Sequence, residues 1–352
     1  MAPRKRLDPG TFDIPEELVR AGHYTDKYFA RTKDILTSDG HHPVVLMQVF
    51  QKGHVTVCGT DEAIAIIKRC ADQPDEIRIM SLFDGDEAAP YETVMTIEGD
   101  YTSFAHLETL YLGVLARQSK VATNTRRAVE AARGKPILFF SARFDRFLTQ
   151  PGDGYAAHIA GASGVSTDAQ GSWIDQEGIG TVPHGLIAAY NGDTVTATQK
   201  FAEFVSDPVQ VISLVDFDND CVATSLAVAK ALGRKLWGVR LDTAATMVDR
   251  SVTDAMGDFA PTGVNEVLVH KVRDALDAAG FDFVKIVASG GFTAERIANF
   301  EASNVPVDAY GVGSSLLTGA FDYTADIVMV NNRPCAKVGR RFKPNLRLQP
   351  VE

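Results

Sequence analysis

FVKIVASGGFTAER, residues 283–296, carries the pattern on which the fold turns. An apolar run ends in Ser289-Gly290-Gly291, and Thr293-Ala294-Glu295-Arg296 then makes a good helix start. Working outward, the same texture recurs from Pro136 onward: PILFFSAR (136–143), HIAGASGVS (158–166), GIGTVPH (178–184), VISLVDFD (211–218), KLWGVRLD (235–242) and DAYGVGSS (308–315). Strand-like runs alternating with helical stretches imply parallel β/α units. Their near-continuous apolar character implies burial on both faces. Each run keeps its chemistry-capable residues at its C-terminal end, where α/β barrels keep their sites. The expected fold is α/β, an incomplete or distorted parallel α/β barrel over 136–326. A doubly wound open sheet is the alternative; repeated similar units without a dinucleotide fingerprint favour the barrel.

The flanking sequence reads differently. Residues 1–135 predict a smaller mixed α+β N-terminal domain, completed by the C-terminal tail, 327–352. Pro43–Gln51, Glu76–Phe83 and Thr93–Glu98 read as strands, and Asp61–Cys70 as a helix with an acidic first turn. Thr102–Arg133 carries Leu107, Leu110, Leu112 and Leu115 at helical spacing, and Gly113 and Thr123-Asn124-Thr125 predict that it splits into two helices. The tail offers one strand, DIVMVNN, and a basic, proline-bearing end.

The bulk numbers narrow the function classes. With 352 residues, 45% hydrophobic and 23% charged, the chain is long enough for two domains and a large core. A net charge of −10 argues against general attraction to nucleic acid or an anionic membrane. An acidic protein that handles phosphates must build its positive field locally, from glycine loops, helix N-termini and single arginines. The four cysteines form no C-x-x-C pair, and scattered thiols fit a reducing, cytoplasmic setting. The start, MAPRKRLDPG, is basic but leads into no apolar segment, so no secretory signal is expected.

The candidate chemistry sits at the strand ends. Ser289-Gly290-Gly291 and Gly311-Val312-Gly313-Ser314 both suggest bare backbone N–H groups at strand-to-helix turns, a geometry suited to phosphate. Either could equally be a tight turn; two on successive strands favour phosphate. Arg240 and Asp242, two apart on a strand, point the same way, as an anion-binding arginine and a carboxylate for sugar hydroxyls, or as a rim salt bridge. Asp216 and Asp218 could hold Mg2+ through one carboxylate plus substrate phosphates, or cap the next helix. His184 follows a proline-stiffened turn between glycines and reads as a general base or a phosphate-accepting nucleophile. Phe140 suits stacking on a flat ring and Arg143 a carboxylate; the plainer reading is a core phenylalanine and a surface arginine.

Several of these segments, in order, resemble the nicotinate phosphoribosyltransferase family. Thr25-Asp26-Lys27-Tyr28 resembles its N-terminal T-D-x-Y, and Ile97-Glu98-Gly99 with Leu107-Glu108-Thr109 its segment entering a long helix. Arg117-Gln-Ser-Lys-Val-Ala-Thr123 is similar to an R-x-S-x-[IV]-A-T stretch shared with quinolinate phosphoribosyltransferases. Phe140-Ser-Ala-Arg143 resembles F-[GS]-x-R, Gly164-Val-Ser166-Thr167 the G-x-S/T loop, and Gly180-Thr-Val-Pro-His184 the G-T-x-x-H. Arg240-Leu-Asp242-Thr243, Ser289-Gly290-Gly291 and Gly311-Val-Gly313 resemble R-x-D-[ST], S-G-G and G-x-G. The matches run from about residue 24 to 316. Three departures stand out: Ala244-Ala245 replace the glycine and aspartate that usually follow R-x-D-S, Gly185 replaces a serine, and the cysteine-rich zinc tail of some relatives is not found in this sequence.

The resemblance implies a reaction of small molecules: nicotinate and phosphoribosyl pyrophosphate give nicotinate mononucleotide and pyrophosphate, in NAD biosynthesis or salvage. It implies ATP as co-substrate with Mg2+, and a histidine, His184, that ATP phosphorylates. Nicotinate would lie against Phe140, Arg143, Ser166 and Thr167, with Tyr28 and Arg117 supplied by a second subunit, so a homodimer or higher homo-oligomer. Arg240, Asp242, Ser289, Gly290, Gly291, Gly311, Gly313 and Ser314 would hold the phosphoribosyl group. The neighbouring alternatives are a quinolinate enzyme, which needs more cations, and a nicotinamide enzyme, which tends to carry an aspartate after glycine 164. Ser166-Thr167 stand there, with Asp168 one further on. A non-catalytic phosphometabolite-binding barrel could dispense with His184, Arg240 or Asp242; all are present.

Overall fold

In the chain's computed structural model, the backbone elements follow the local chemistry closely. The structure describes residues 4–205, 209–255, 257 and 259–351, so both extreme ends of the expected N-terminal domain stretches, including Met1 to Pro3 of the basic start, lie outside the described residues. The strands, in chain order, are β1 (Val44–Gln51), β2 (Val55–Thr56), β3 (Arg78–Ser81), β4 (Glu87–Ala88), β5 (Thr93–Asp100), β6 (Ile137–Phe139) and β7 (Gly164–Val165). They continue with β8 (Ile212–Leu214), β9 (Gly238–Leu241), β10 (Lys285–Ala288), β11 (Ala309–Val312), β12 (Tyr323–Val330), β13 (Arg333–Pro334) and β14 (Gln349–Pro350). The chain divides into two compact units, one of Met1–Thr123, Tyr155–Ala160 and Thr318–Glu352, the other of Asn124–Gly154 and Gly161–Leu317.

The first unit is built on an antiparallel sheet of order β13-β12-β1-β5-β3-β14. Period-two alternation sends Val45, Met47 and Val49 of β1 to one face. There they join Ile79, Met95, Ile97 and the helix residues Ile64, Ile67, Leu107, Tyr111 and Leu115 in one core. β12 lies beside β1, with Val49 opposite Ala325, which brings the C-terminal segment into this sheet.

The helix Glu108–Ala131 runs unbroken for 24 residues, through Gly113 and Thr123, which corrects the expected split. Polar side chains that would compete with a helix are engaged elsewhere. Ser119 Oγ accepts from Cys58 N–H at 3.0 Å, and Thr123 Oγ1 accepts from Thr56 N–H at 3.0 Å. Gly113 costs about 1 kcal/mol of helix propensity, which burial of Tyr111 and Leu115 outweighs. The break falls earlier, where a helical turn at Tyr101–Phe104 meets a tight 3-10 turn at Ala105–Leu107.

The second unit holds a parallel sheet of order β7-β6-β11-β10-β9-β8. In chain order this is the circuit of a barrel, 6-7-8-9-10-11 and back to 6, left open between β7 and β8. The expected strand GIGTVPH falls in that gap and pairs with no neighbour along its length, a correction to the reading of it as a full strand. It is extended and touches each edge once: Ile179 N–H donates to Val165 O at 2.7 Å, and Val182 N–H to Ile212 O at 3.0 Å. The two glycines and the proline explain why no ladder forms. HIAGASGVS is likewise shorter than expected, since His158 and Ile159 end the helix Gln150–Ile159 and only Gly164–Val165 join the sheet. The unit is therefore an α/β barrel, incomplete at one seam. The helices that begin at Thr194, Cys221, Glu266 and Ala294 start on side-chain caps from Asp193, Asp220, Asn265 and Thr293, each accepting from a backbone N–H of the first turn.

Among the described residues no helix is long and apolar enough to cross a membrane. Cys58, Cys70 and Cys221 are buried free thiols and Cys335 is exposed.

Candidate active site

Strand direction explains the grouping of polar side chains at the C-terminal ends of β8, β9 and β10. β9 presents Arg240 and, just past its end, Asp242 on the same side. Register aligns Leu241 with Ala288, which brings Ser289 beside them. Ser289 Oγ lies 2.8 Å from Asp242 Oδ1 and 3.0 Å from Leu241 O, and accepts from Arg240 Nη1 at 3.1 Å. Arg240 Nη1 also stands 3.3 Å from Asp242 Oδ2, and its Nε donates to Thr181 Oγ1 at 3.2 Å. The Arg240 side chain is only 12% exposed, so its charge is held with little help from water and needs these partners. Ser289 is buried and its hydroxyl is spent inside this network. It fixes Asp242, and its side chain is not placed to meet a phosphate.

At the end of β8, Asp216 Oδ1 lies 3.1 Å from His184 Nε2. The Asp216 side chain is 8% exposed, the His184 ring 48%. Burial raises the Asp216 carboxyl above the ordinary range; the nearby His184 opposes this and Asp242 adds to it. Asp218 is exposed, and the cap of the following helix is Asp220 instead, which accepts from Ala223 N–H at 3.0 Å. Among the described residues no three His, Cys, Asp or Glu side chains are gathered as a metal centre would be. A hard cation sharing its shell with substrate phosphates needs only one or two protein carboxylates, and Asp216 fits that role.

The glycine loops differ from one another. Gly290 and Gly291 both have positive φ, +86° and +78°, which favours glycine at each. Arg296 Nη1 donates to Gly290 O at 3.1 Å and to Gly291 O at 3.5 Å while its guanidinium stacks 4.4 Å over Phe292. The carbonyls are thus tied back, and among the described residues no protein acceptor takes the Gly290 or Gly291 N–H. Gly311, by contrast, lies within β11, and a Cβ there would sit 2.6 Å from the Phe140 ring. Its missing side chain makes room for an aromatic wall. Gly313 and Ser314 alone of that motif reach the turn, where Ser141 Oγ donates to Gly313 O at 2.9 Å.

Phe140 is half-buried, with the Arg240 guanidinium 6.0 Å from its ring centre. Arg143 sits on an exposed turn, its guanidinium 5.4 Å from the Phe144 ring. Ser166 and Thr167 turn inward. Ser166 Oγ donates to Gln170 Oε1 at 3.0 Å, and Thr167 Oγ1 donates to Gln150 Oε1 at 2.9 Å and caps the turn Asp168–Gly171. Asp168 accepts from Gly178 N–H at 2.9 Å and so anchors the segment that crosses the open seam. Tyr28, 61% exposed, and Arg117, half-buried on the long helix, lie in the first unit. Thr181, Gln150, Gln170 and Arg296 are participants that sequence reasoning missed. Polar residues of these types are common on loops and helices, and only the three-dimensional partners reveal them.

A family model described as quinolinate phosphoribosyl transferase, N-terminal domain, matches residues 26–119. A nicotinate phosphoribosyltransferase of Bacillus subtilis is 29% identical over 248 residues, covering 70% of this chain and 46% of that protein. A nicotinate phosphoribosyltransferase of Mycobacterium tuberculosis is 28% identical over 249 residues, 70% of this chain and 51% of that protein. The chain thus spans about half the length of the curated relatives it matches. The human nicotinic acid phosphoribosyltransferase structure, at 17% identity and TM-score 0.66 over 89% of this chain and 76% of that one, shares the fold. The structure of nicotinate-nucleotide pyrophosphorylase from Pyrococcus furiosus matches at TM-score 0.81 and 32% identity, over 97% of this chain and 85% of that one. On that match and the ordered motifs, the chain belongs to the nicotinate phosphoribosyltransferase family, with the type II phosphoribosyltransferase fold related to the quinolinate enzymes.

Proposed function

We propose that this protein is a nicotinate phosphoribosyltransferase of NAD biosynthesis or salvage. The observation that carries the reading is the half-buried Arg240–Ser289–Asp242 network beside the His184–Asp216 pair and the open Gly290-Gly291 amides. Phosphoribosyl pyrophosphate would lose pyrophosphate from its anomeric carbon, and the pyridine nitrogen of nicotinate would form the new C–N bond with the oxocarbenium-like centre. Such a reaction needs positioning and electrostatics more than covalent help. Asp242, held in one rotamer by Ser289 and Arg240, would accept from the ribose hydroxyls. The Gly290-Gly291 amides and the Gly313-Ser314 turn would bind the 5′-phosphate. Phe140 would stack on the ring and Arg143 meet the carboxylate. Tyr28 and Arg117 would come from a second copy, in a homodimer or larger homo-oligomer. When Mg2+ accompanies the phosphates it neutralises their charge, and Asp216 is the side chain that would meet it.

ATP would act at His184. With Nε2–H donated to Asp216, the Nδ1 lone pair is free to attack the γ-phosphorus, ADP leaves, and water later cleaves the P–N bond. Incubation with γ-labelled ATP is expected to give acid-labile, base-stable label at His184. Absence of such label would refute the ATP step and leave the transferase reading intact. The match to a quinolinate family model supplies a second reading, with a dicarboxylate substrate. Product analysis with nicotinate, nicotinamide and quinolinate separates them: nicotinate mononucleotide from nicotinate alone is expected, and turnover of quinolinate with carbon dioxide release would overturn the assignment.

A further inference from the structure

The basic C-terminal stretch has no part in the proposed reaction. From residue 333 to 347 it carries Arg333, Lys337, Arg340, Arg341, Lys343 and Arg347 and no carboxylate, in a chain of net charge −10. Within the first unit this stretch crosses β1 on the side away from the core. Arg340, Arg341 and Lys343 line a cavity of about 470 Å3 there, together with Gln48, Phe50 and Tyr91. One buried amide sets the cavity rim: Gln48 Nε2 donates to Arg341 O and Gln48 Oε1 accepts from Lys343 N–H, both at 3.0 Å.

The walls are aromatic and cationic together. The Phe50 and Tyr91 rings lie 5.9 Å apart, inclined by 33°. The Arg340 guanidinium is 5.2 Å from the Phe50 ring and the Lys343 ammonium 5.3 Å from the Tyr91 ring. Arg340 is neutralised by Asp326 at 3.0 Å. Among the described residues, Arg341 and Lys343 form no ion pair. Tyr91 is held at φ +61°, in the left-handed region that a bulky residue seldom occupies. Its N–H donates to Gln51 O at 2.7 Å, which maintains that conformation. Strain kept at a cavity wall points to use of that wall.

We propose that this cavity is a second ligand site, distinct from the strand-end site, that takes a nucleoside polyphosphate. The base would lie against Tyr91 and Phe50, and the phosphates would meet Arg341 and Lys343. Two uncompensated cations call for at least two negative charges, and ring-faced walls call for a planar group on the same molecule. The volume falls in the range of about 300–1,000 Å3 usual for small-molecule sites. A bare polyphosphate would gain nothing from the exposed Tyr91 ring, and a bare aromatic carboxylate would leave one cation unmet.

Photolabelling of the full chain with 8-azido-ATP, followed by peptide mass mapping, tests this directly. Label is expected on peptides containing Tyr91 or residues 339–343, competed by ATP more effectively than by inorganic triphosphate. It is expected to fall at least tenfold in an R341A/K343A double variant and to persist in R341K/K343R. Both changes are on exposed side chains, and circular dichroism of each variant checks that the fold is retained. Label confined to peptides from residues 178–243, label at the tail that survives R341A/K343A, or no label at all would overturn the proposal. Label near His184 reports separately on the ATP step of the proposed reaction.

Discussion

At the scale of single residues, the proposed site works by fixing charged groups in advance. Asp242 is oriented by a hydroxyl and a guanidinium before any substrate arrives, so less ordering is left for the reaction. Arg143 is different: it is exposed and, among the described residues, its guanidinium contacts only a neighbouring ring, so a carboxylate is the partner it lacks most. Arg143→Ala is therefore expected to weaken nicotinate binding by roughly 1.5–3 kcal/mol, the range for a charged hydrogen bond, with the fold unaffected. Calorimetric titration of nicotinate into the variant checks this, and unchanged affinity removes Arg143 from the site. His184, Arg240 and Asp242 were legible in sequence because each is a chemically distinctive residue at the end of an apolar run. The bonds of the Ser289 hydroxyl to Asp242 and Arg240, 47 and 49 positions away in the chain, were not legible. Such long-range pairing leaves no local trace.

At the scale of elements, one helix start carries a predictable pH dependence. The helix Thr60–Cys70 begins over the carboxylate of Asp84, which accepts from Thr60 N–H and Thr60 Oγ–H, each at 2.8 Å. Burial, with Asp61 adding to it, pushes the Asp84 carboxyl up to about 7 from an ordinary 3.8. The folded state therefore holds this proton more tightly than the unfolded chain. Its stabilising effect is complete below about pH 4, declines as pH rises, and is gone above about pH 7. Asp84→Asn keeps an acceptor for Thr60 without the charge. It should melt at a higher temperature than the parent at pH 8, by roughly 2–4 °C for each kcal/mol gained, and the difference should close at pH 4. Scanning calorimetry at the two pH values decides; a variant less stable at both would contradict this reading of Asp84. The strands of both units were legible because apolar runs and alternation are local signals. The unbroken Glu108–Ala131 helix and the failed strand GIGTVPH were not. In the helix, contacts from the distant residues Cys58 and Thr56 outweigh local propensity; in GIGTVPH, the two glycines and the proline limit the segment to one hydrogen bond with each sheet edge.

At the scale of the whole molecule, the account rests on a parallel barrel open at one seam and on residues of the first unit that the barrel itself does not contain. Barrel and circuit were readable from the spacing of the apolar runs. That the barrel is incomplete was readable too; where it opens was not, because GIGTVPH looks like a strand until its glycines and proline are seen to prevent pairing. If Tyr28 and Arg117 act on a neighbouring copy, two inactive variants can repair one another. Mixing Tyr28→Ala with Asp242→Asn after subunit exchange should restore up to about a quarter of the activity, the share expected when random pairing gives one intact site in half of the dimers. No recovery, with exchange confirmed by mass, would place the whole site within one copy. The most direct measurement is pyrophosphate release from phosphoribosyl pyrophosphate and Mg2+ with nicotinate as acceptor, with and without ATP, in the parent chain and in Asp242→Asn. The account predicts release that requires nicotinate, is raised by ATP, yields one nicotinate mononucleotide per pyrophosphate, and falls at least a hundredfold in Asp242→Asn. Release that is indifferent to nicotinate, or undiminished in Asp242→Asn, would contradict it.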